Sequence, residues 1–466
     1  MKEKCIIILV SGWLFHCGCS SPEQYLNEEQ VTFDESKNHD LDNNDNFSPD
    51  GKWLVYDTRS ETGGIGGCGS IERVNTVTGE TEVIYDIPGN GEYGPGVGAA
   101  SYHPLEDQVI FIHGLQNSTP QNPYQQWRRT GVIVPADRRP VFMDSRDVTF
   151  PYTPGALRGG THRHEWSRDG KWIGFTYNDA ILKKLEDSTC VVLNLRTIGV
   201  SARLPGITVD QDAAGENVQG EWFSALVVRV VPDPEPGSDQ ISHAASDSWV
   251  GSRGYRRPDG SWQVARAFLG RVTSRDGKQV DELFVVDIPD SIHVRGDDGP
   301  LEGTPVSMPM PPARTGQRRL TFTAFMPYPG CSGVVRSSSD GKKIAFVASD
   351  STGIRQLFLI SPEGGTPSQL TRHTSDVQSG ARWRPGDQSV CYIWNNCLVK
   401  CEVSDRPFKK RVRILTAPSA NPPSNPVWSN DGTLIAFNRM VTSQTGGLPV
   451  KQIFILRMNP SHKTQP

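Results

Sequence analysis

A short phrase returns along this chain of 466 residues, and each full copy carries Asp-Gly at its centre. The copies occupy residues 47–56, 166–175, 338–346 and 428–437. Asp and Gly tolerate the positive φ angles of a tight turn, and an alternating apolar run follows each pair. Each copy therefore predicts a β-hairpin, and a hairpin that recurs through a chain is typical of an all-β propeller.

Degraded copies of the phrase extend the count. They lie at residues 101–111, around Asp276-Gly277, and at residues 384–387. The last three tips are about 45 residues apart, which is the length of one four-stranded blade. Seven blades are predicted. Six or eight are the alternatives, because the fourth unit, placed at residues 222–228 and 270–287, is irregular.

A second repeated mark predicts how the ring closes. Three units end on a Leu-Thr pair: Leu320-Thr321, Leu370-Thr371 and Leu415-Thr416. A related pair, Val31-Thr32, stands before the first unit, and none follows the last apolar run near Leu456. The strand at Gln30 is therefore expected to complete the last blade, which removes two exposed sheet edges.

These marks predict one propeller over residues 30–460, followed by a tail at 461–466. Two stretches rich in Pro and Gly, residues 231–261 and 290–318, interrupt the period and are predicted as long loops. Loops of this length are lids, binding loops or disordered segments.

The first residues predict an export signal over residues 1–21 and a tether over 22–29. A charged start precedes an apolar stretch at 5–15, which is too short to span a bilayer. Gly18-Cys19 resembles the end of a bacterial lipobox, which implies lipidation of Cys19 and a place in the periplasm or outer membrane. An ordinary signal peptide is the alternative. The net charge of −4 gives no reason to expect a nucleic-acid partner.

Six of the nine cysteines lie outside the predicted signal. Cys391 and Cys401 flank a predicted turn and are expected to come close across one hairpin. A disulfide between them fits an oxidising compartment. Buried thiols are the alternative reading.

The strongest site candidate is the run from Thr161 to Glu165, just before one of the hairpins. Residues two apart in a strand share a face, so His162 and His164 point the same way. Facing the channel, they are expected to bind a divalent cation such as Mn, Zn or Fe, with His39 and Gln378 as weaker ligands. The alternative is a pair of hydrogen-bonded channel histidines without metal.

Arginine and tyrosine residues around the same blade predict recognition of an acidic ligand, because guanidinium groups bind carboxylates through paired hydrogen bonds. The predicted ligand-binding residues are Arg129, Tyr152, Arg158, Tyr177 and Tyr328. Arg158 and His113 are the catalytic candidates. The alternative is that these arginines are solvated and the tyrosines fill the space between blades.

The hairpin phrase with its Leu-Thr tags resembles the TolB-like propeller repeat. Five segments look like the YidR-like family of such proteins: residues 71–75, 111–114, 151–160, 175–179 and 318–323. The resemblance as a whole runs from about residue 30 to residue 456. That family has no established reaction. A more distant similarity to oligogalacturonate lyases, propellers that hold a metal through histidines and a glutamine, implies metal ligation by His162 and His164 and, loosely, by Gln378.

Three functions are therefore expected as alternatives. The first is an exported module that binds a small molecule or a protein at the channel face. The second is a metal-dependent lyase or hydrolase of acidic saccharides, with Arg158 on the substrate carboxylate. The third is an envelope scaffold without catalysis.

Overall fold

The computed structural model describes residues 25–204, 207–404, 406–442 and 446–458. Within these residues the chain folds into seven antiparallel blades around a channel, which confirms the all-β propeller and the count of seven. The described helices are α1 (Ala180–Thr189), α2 (Phe408–Arg411) and one 3-10 turn (Thr323–Phe325). No helix of the described part is both long enough and apolar enough to cross a membrane.

The strand β1 (Glu28–Gln30) comes first in the chain and belongs to the last blade. Blade 1 holds β2 (Trp53–Asp57), β3 (Ser70–Asn75) and β4 (Thr81–Asp86). Blade 2 holds β5 (Val97–Tyr102), β6 (Val109–Gly114), β7 (Arg129–Val134) and β8 (Val141–Phe142). Blade 3 holds β9 (Gly159–Trp166), β10 (Trp172–Asp179), β11 (Thr197–Ala202) and β12 (Phe223–Leu226).

The remaining blades follow the same order from the channel outward. Blade 4 holds β13 (Ile241–Trp249), a separate pair β14 (Tyr255–Arg256) and β15 (Trp262–Gln263), then β16 (Ala265–Thr273), β17 (Gln279–Asp287) and β18 (Gly316–Arg319). Blade 5 holds β19 (Cys331–Ser337), β20 (Ile344–Ser349), β21 (Arg355–Ser361) and β22 (Gly364–Gln369). Blade 6 holds β23 (Arg382–Trp383), β24 (Ser389–Trp394), β25 (Cys397–Glu402) and β26 (Val412–Ile414). Blade 7 holds β27 (Ser424–Trp428), β28 (Leu434–Val441) and β29 (Val450–Arg457), and it is completed by β1.

Ring closure occurs as the tags predict. β1 pairs with β29, with Glu28 opposite Leu456 and Gln30 opposite Phe454. The threonine of each tag accepts a hydrogen bond from a main-chain N–H of the third strand of its blade: Thr32 from Ile453 (2.8 Å), Thr321 from Leu283 (2.8 Å), Thr371 from Leu357 (2.9 Å) and Thr416 from Leu398 (2.9 Å). The tag therefore satisfies a strand donor at the outer edge of the blade.

The Asp-Gly phrase forms the turn between the first two strands of a blade. In the first copy the Ser48 hydroxyl donates to Asp50 Oδ1 at 2.7 Å and accepts from the Trp53 N–H at 3.0 Å. Gly51 has a φ of +72°, the left-handed region that favours glycine. The phrase is therefore local turn chemistry that sets the geometry of the hairpin.

Blade 4 corrects the prediction of a long loop at residues 231–261. That segment contains β13, the innermost strand of the blade, whereas residues 222–228 contain β12, the outer strand of blade 3. The strand was missed because its sequence is mostly small and polar, and because the β14–β15 hairpin replaces the usual Asp-Gly turn after it. The segment 290–318 is a loop that ends in β18.

Apolar side chains pack between adjacent blades and between paired strands. Phenylalanines lie directly opposite one another on the second and third strands of three blades: Phe268 and Phe284, Phe346 and Phe358, and Phe437 and Phe454. Their rings stack with centroid separations of 5.6, 5.9 and 6.0 Å. Such cross-strand aromatic pairs stabilise the sheet and hold its channel-facing strand in place.

Candidate functional site

Tryptophans at the ends of three innermost strands tie neighbouring blades together around the channel. Each indole Nε1 donates to a main-chain carbonyl of the preceding blade: Trp249 to Glu165 (2.9 Å), Trp383 to Arg336 (2.9 Å) and Trp428 to Arg382 (3.1 Å). Because the acceptor is the main chain, the bond fixes the backbone and leaves the side chain of that residue available. The tryptophans thereby position Glu165, Arg336 and Arg382.

These three side chains line a cavity of about 560 Å³ at the end of the channel where the Asp-Gly hairpins lie. We call it the hairpin-side mouth. Its wall includes a residue from every blade: Asn44, Leu105, Glu165, Trp249, Arg336, Arg382 and Trp428. The volume lies within the range of sites that hold small molecules.

Glu165 is the acidic centre of the mouth. Its carboxylate accepts hydrogen bonds from Arg336 at 2.9 Å, from Asn44 at 3.0 Å and from Arg266 at 3.3 Å. Burial alone would raise the pKa of the Glu165 carboxyl, but the guanidinium groups of Arg336 and Arg266 hold it below its usual range. Arg266 also pairs with Asp247. The carboxylates of the mouth are therefore fully engaged.

Arg382 has no carboxylate of its own. Its guanidinium donates to the side-chain oxygen of Asn44 at 2.9 Å, and no acid of the described chain lies within ion-pair distance of it. Burial, together with the positive charges of Arg336 and Arg163, lowers the pKa of Arg382 to about 9. An arginine side chain offers five N–H donors, so most of those on Arg382 remain available to a ligand.

Arg336 adds a second unused donor. Its side chain is 10% exposed and its Nε has no hydrogen-bond partner among the described residues. Burial lowers the pKa of Arg336 even though Glu165 lies beside it. Arg336 and Arg382, which both line the cavity, thus have a single carboxylate ion-pair partner between them among the described residues, that of Glu165.

A larger cavity of about 680 Å³ lies at the rim, between blades 3 and 4 and the loop after β17. Arg229 and Asp298 on its wall pair with each other at 2.8 Å, and both are more than half exposed. No side chain on this wall has a buried polar atom without a partner among the described residues. We therefore take the hairpin-side mouth as the candidate site.

The predicted metal ligands His162 and His164 both contact β7 of blade 2, but a β-bulge at Arg163, whose φ is +52°, interrupts the strand alternation between them. Nδ1 of His162 accepts from Arg129 at 2.5 Å, and Nε2 donates to the side-chain oxygen of Asn178 at 3.1 Å. Nε2 of His164 is bonded to the Thr161 hydroxyl at 2.9 Å. Burial, followed by the charge of Arg129, lowers the pKa of His164 to about 3 and that of His162 well below its usual range.

The weaker metal candidates lie elsewhere. His39 is buried against Tyr56, with ring centroids 4.9 Å apart, and Gln378 forms two hydrogen bonds to Asn396. The described residues contain no group of three or more His, Cys, Asp or Glu side chains arranged to hold a metal ion. The four predicted ligands are therefore not brought together.

Arg158, predicted to bind ligand or act in catalysis, is fully buried. Its Nε pairs with Asp179 at 2.8 Å, and its terminal nitrogens donate to the carbonyls of Thr304 and Ser307. Tyr177 is buried beside it and donates to Asp179 at 3.0 Å. These contacts fasten the loop after β17 to blade 3 and engage the polar groups of both Arg158 and Tyr177 within the protein.

The other predicted residues are also dispersed. Tyr152 lies beneath the Arg158 guanidinium at 4.9 Å. His113 is buried and bonded to the Tyr85 hydroxyl at 3.0 Å. Tyr328 is 47% exposed, far along the chain in the loop before β19. Among the predicted set, Arg129 keeps an unused donor, because its Nε is buried without a partner.

The sheet of blade 6 is incompatible with a Cys391–Cys401 disulfide. Cys391 lies opposite Lys400 and Cys401 lies opposite Val390, so the two side chains emerge on opposite faces of the sheet. Cys391 packs toward blade 7 and Cys401 toward blade 5, and both are free thiols. Cys19, the predicted lipidation site, lies outside the described residues.

Comparison with known proteins assigns the chain to a family. It is 38% identical over 422 residues to the Escherichia coli K12 protein named "Uncharacterized protein YidR", covering 88% of this chain and 94% of that one. The chain belongs to the YidR family. Residues 96–216 of this YidR-family propeller also match a family described as a protein of unknown function, DUF3748.

Two solved structures are similar to this YidR-family chain at lower sequence identity. A prolyl endopeptidase aligns with a TM-score of 0.44 and 14% identity, over 88% of this chain. The chain spans 49% of the length of that peptidase. TolB from Acinetobacter baumannii aligns with a TM-score of 0.35 and 13% identity, over 88% of this chain and 80% of TolB.

The sequence predictions include the run that ends at Glu165 but not Arg336 or Arg382, although the repeat marks these positions. Glu165 and Arg382 each stand directly before a tryptophan that ends an innermost strand, Trp166 and Trp383. In these two blades the residue before the tryptophan lines the hairpin-side mouth. Arg336 occupies the same position in blade 5, where Ser337 replaces the tryptophan.

Proposed function

We propose that this YidR-family propeller is a binding module whose hairpin-side mouth receives a small molecule carrying a carboxylate or phosphate. The observation that carries the proposal is the unused donors of Arg336 and Arg382 beside a cavity of about 560 Å³. Buried guanidinium groups without enough carboxylates are stabilised by an anion, and arginine binds such groups through two parallel hydrogen bonds.

The size and lining of the mouth support a ligand of the dimensions of a mono- or disaccharide. The indole rings of Trp249 and Trp428 contribute apolar surface to a wall that also carries charged and polar side chains. This combination of aromatic surface and a few directed polar groups is usual for small-molecule sites. The lyase alternative relied on His162 and His164 facing the channel, so the proposal is confined to binding.

A titration of purified protein tests the site. The probes are galacturonate, inorganic phosphate and neutral galactose, followed by calorimetry. We expect saturable binding of at least one anion and none of galactose. Arg382→Gln should weaken that binding by about tenfold or more, because a charge-assisted hydrogen bond contributes about 1.5–3 kcal/mol.

Arg413→Gln is the matched control. Arg413 lies on the outer strand β26 of the same blade, is exposed, and undergoes the same loss of charge. Its affinity should equal that of the wild type. The proposal fails if the wild type binds neither anion, or if Arg382→Gln binds as tightly as Arg413→Gln.

We also propose that the protein is exported and anchored through Cys19, which rests on the sequence of residues 1–21 alone. The mature protein should begin at Cys19 and carry the added mass of a lipid, as measured by mass spectrometry of the N-terminal peptide. Cys19→Ala should accumulate as the unprocessed precursor, whereas Cys17→Ala should be processed normally. An unmodified mature terminus at any other residue would refute the anchor.

A further inference from the structure

We propose a second oxyanion site at the opposite end of the channel, formed by Arg129, Arg163 and Arg196. β7 begins at Arg129, and β11 begins just after Arg196. Both are third strands, which start at the end of the propeller away from the Asp-Gly hairpins. Arg163 extends into the channel from β9 and lines a small central cavity. We call this group the far-end arginines.

The far-end arginines have no acidic partner. No carboxylate of the described chain lies within 4.0 Å of any of their guanidinium groups. They bond to neutral groups instead: Arg129 to Nδ1 of His162 (2.5 Å), Arg163 to the carbonyl of Asp42 (3.2 Å), and Arg196 to the side-chain oxygens of Asn178 (3.1 Å) and Gln126 (2.8 Å). The three guanidinium groups therefore lack an ion-pair partner among the described residues.

The nearest acids on blade 1 are already used. Asp42 and Asp57 both pair with Arg59, at 2.9 Å in the case of Asp42. Asp247, whose charge also reaches Arg196, pairs with Arg266. The nearby carboxylates therefore pair with Arg59 and Arg266, and none of them pairs with the far-end arginines.

The second observation that supports the far-end site is that two buried hydrogen-bond donors beside it have no partner among the described residues. Arg129 is 9% exposed and its Nε has no partner, and the hydroxyl of Tyr124 is also buried without a partner among the described residues. The Arg129 guanidinium lies over the Tyr124 ring, with its central carbon 4.8 Å from the ring centroid. Burial lowers the pKa of Arg129 to about 10, and Arg196 adds to the effect. Leaving such donors unsatisfied is costly, and a bound anion removes the cost.

His162 links two of the far-end arginines, Arg129 and Arg196, through hydrogen bonds. It accepts from Arg129 on Nδ1, so the proton of the neutral ring is on Nε2, which donates to Asn178. Arg196 donates to the same oxygen of Asn178. One line of hydrogen bonds therefore joins Arg129 to Arg196 through His162 and Asn178 and fixes the spacing of the two charges. Arg196 is half-buried and reaches solvent, so an anion has access.

The far-end site is separate from the hairpin-side mouth. Between them the channel narrows to a cavity of about 10 Å³ lined by Arg163, Glu165, Asp247 and Arg336. Such a space holds about one water molecule at most. The far-end proposal is independent of the function proposed above, because it is tested at Arg129 and Arg196, and neither residue lines the hairpin-side mouth.

The test uses the full-length protein with Arg382→Gln, which disables the hairpin-side mouth. Inorganic phosphate and malonate, a dicarboxylate, are titrated separately by calorimetry, and the two probes distinguish phosphate from carboxylate preference. We expect one remaining site. Adding Arg196→Gln should weaken it by about tenfold or more. Adding Arg203→Gln, an exposed arginine just beyond the other end of β11, should not.

Amide hydrogen exchange of the wild type gives a measurement that needs no variant. Saturating phosphate or malonate should slow exchange in residues 124–131 and 194–199, around Arg129 and Arg196. The far-end proposal is overturned if neither probe changes exchange there, or if the remaining binding is the same with Arg196→Gln as with Arg203→Gln. If Arg382→Gln alone abolished all anion binding, the hairpin-side mouth would be supported and the far-end site would be rejected.

Discussion

Replacing Glu165 by glutamine is expected to lower the free energy of unfolding by about 3 kcal/mol. Glu165 is the only acid among the described residues that pairs with Arg336, and it shares Arg266 with Asp247. The side chains of Glu165 and Arg336 are 8% and 10% exposed, so solvent does not screen the loss. Removing one partner of a buried pair leaves the other charge without compensation. Equilibrium urea denaturation followed by circular dichroism measures the change.

Glu80→Gln is the control for Glu165→Gln. Glu80 is exposed in the turn before β4, so the same chemical change should shift the free energy of unfolding by less than about 0.5 kcal/mol. Equal effects of the two substitutions would show that Glu165 does not hold the arginines of the mouth.

The repeat predicted most of the fold because its signals are local. The turn of the Asp-Gly phrase and the threonine tag each form hydrogen bonds within one blade, so a single copy of either motif is enough to predict the structure that it forms. Blade 4 was misplaced where those signals are missing, since the polar strand β13 is followed by an inserted hairpin. The lesson is that the hairpins locate blades only where the turn between the first two strands is short.

The expectation for His162 and His164 has a geometric limit. Alternation along β9 predicts that the two side chains share a face, but a β-bulge breaks the alternation: Arg163 has a φ of +52°, and the register to β10 shifts between Gly174 and Thr176. Arg163 and Glu165 line the small central cavity instead. The sequence of one strand does not contain the position of such a bulge.

Arg158 shows the other limit of sequence analysis. Its acceptors, Thr304 and Ser307, lie 146 and 149 residues further along the chain. Nothing in the sequence near Arg158 marks this contact, so an arginine beside tyrosines was read as a ligand-binding residue. The burial of a charged side chain by residues distant in sequence can be recognised only when the three-dimensional positions of both partners are known.

Arg158→Met is expected to lower the free energy of unfolding by about 3 kcal/mol or more. Methionine keeps much of the length of the side chain but removes the ion pair to Asp179, whose carboxylate is fully buried. It also leaves the carbonyls of Thr304 and Ser307 without their donors, which releases the loop after β17 from blade 3. Urea denaturation should show the loss of stability, and limited proteolysis should show new cleavage within residues 290–315.

Arg229→Met provides the matched control, because it also removes an arginine that reaches this loop. Arg229 pairs with Asp298 at 2.8 Å, but the two side chains are 54% and 53% exposed. An exposed pair contributes about 1 kcal/mol or less, so this variant should unfold nearly like the wild type and keep the loop resistant to protease. If Arg158→Met and Arg229→Met were equally stable and equally resistant, the loop would be held by its own packing. The buried ion pair of Arg158 would then not be its anchor.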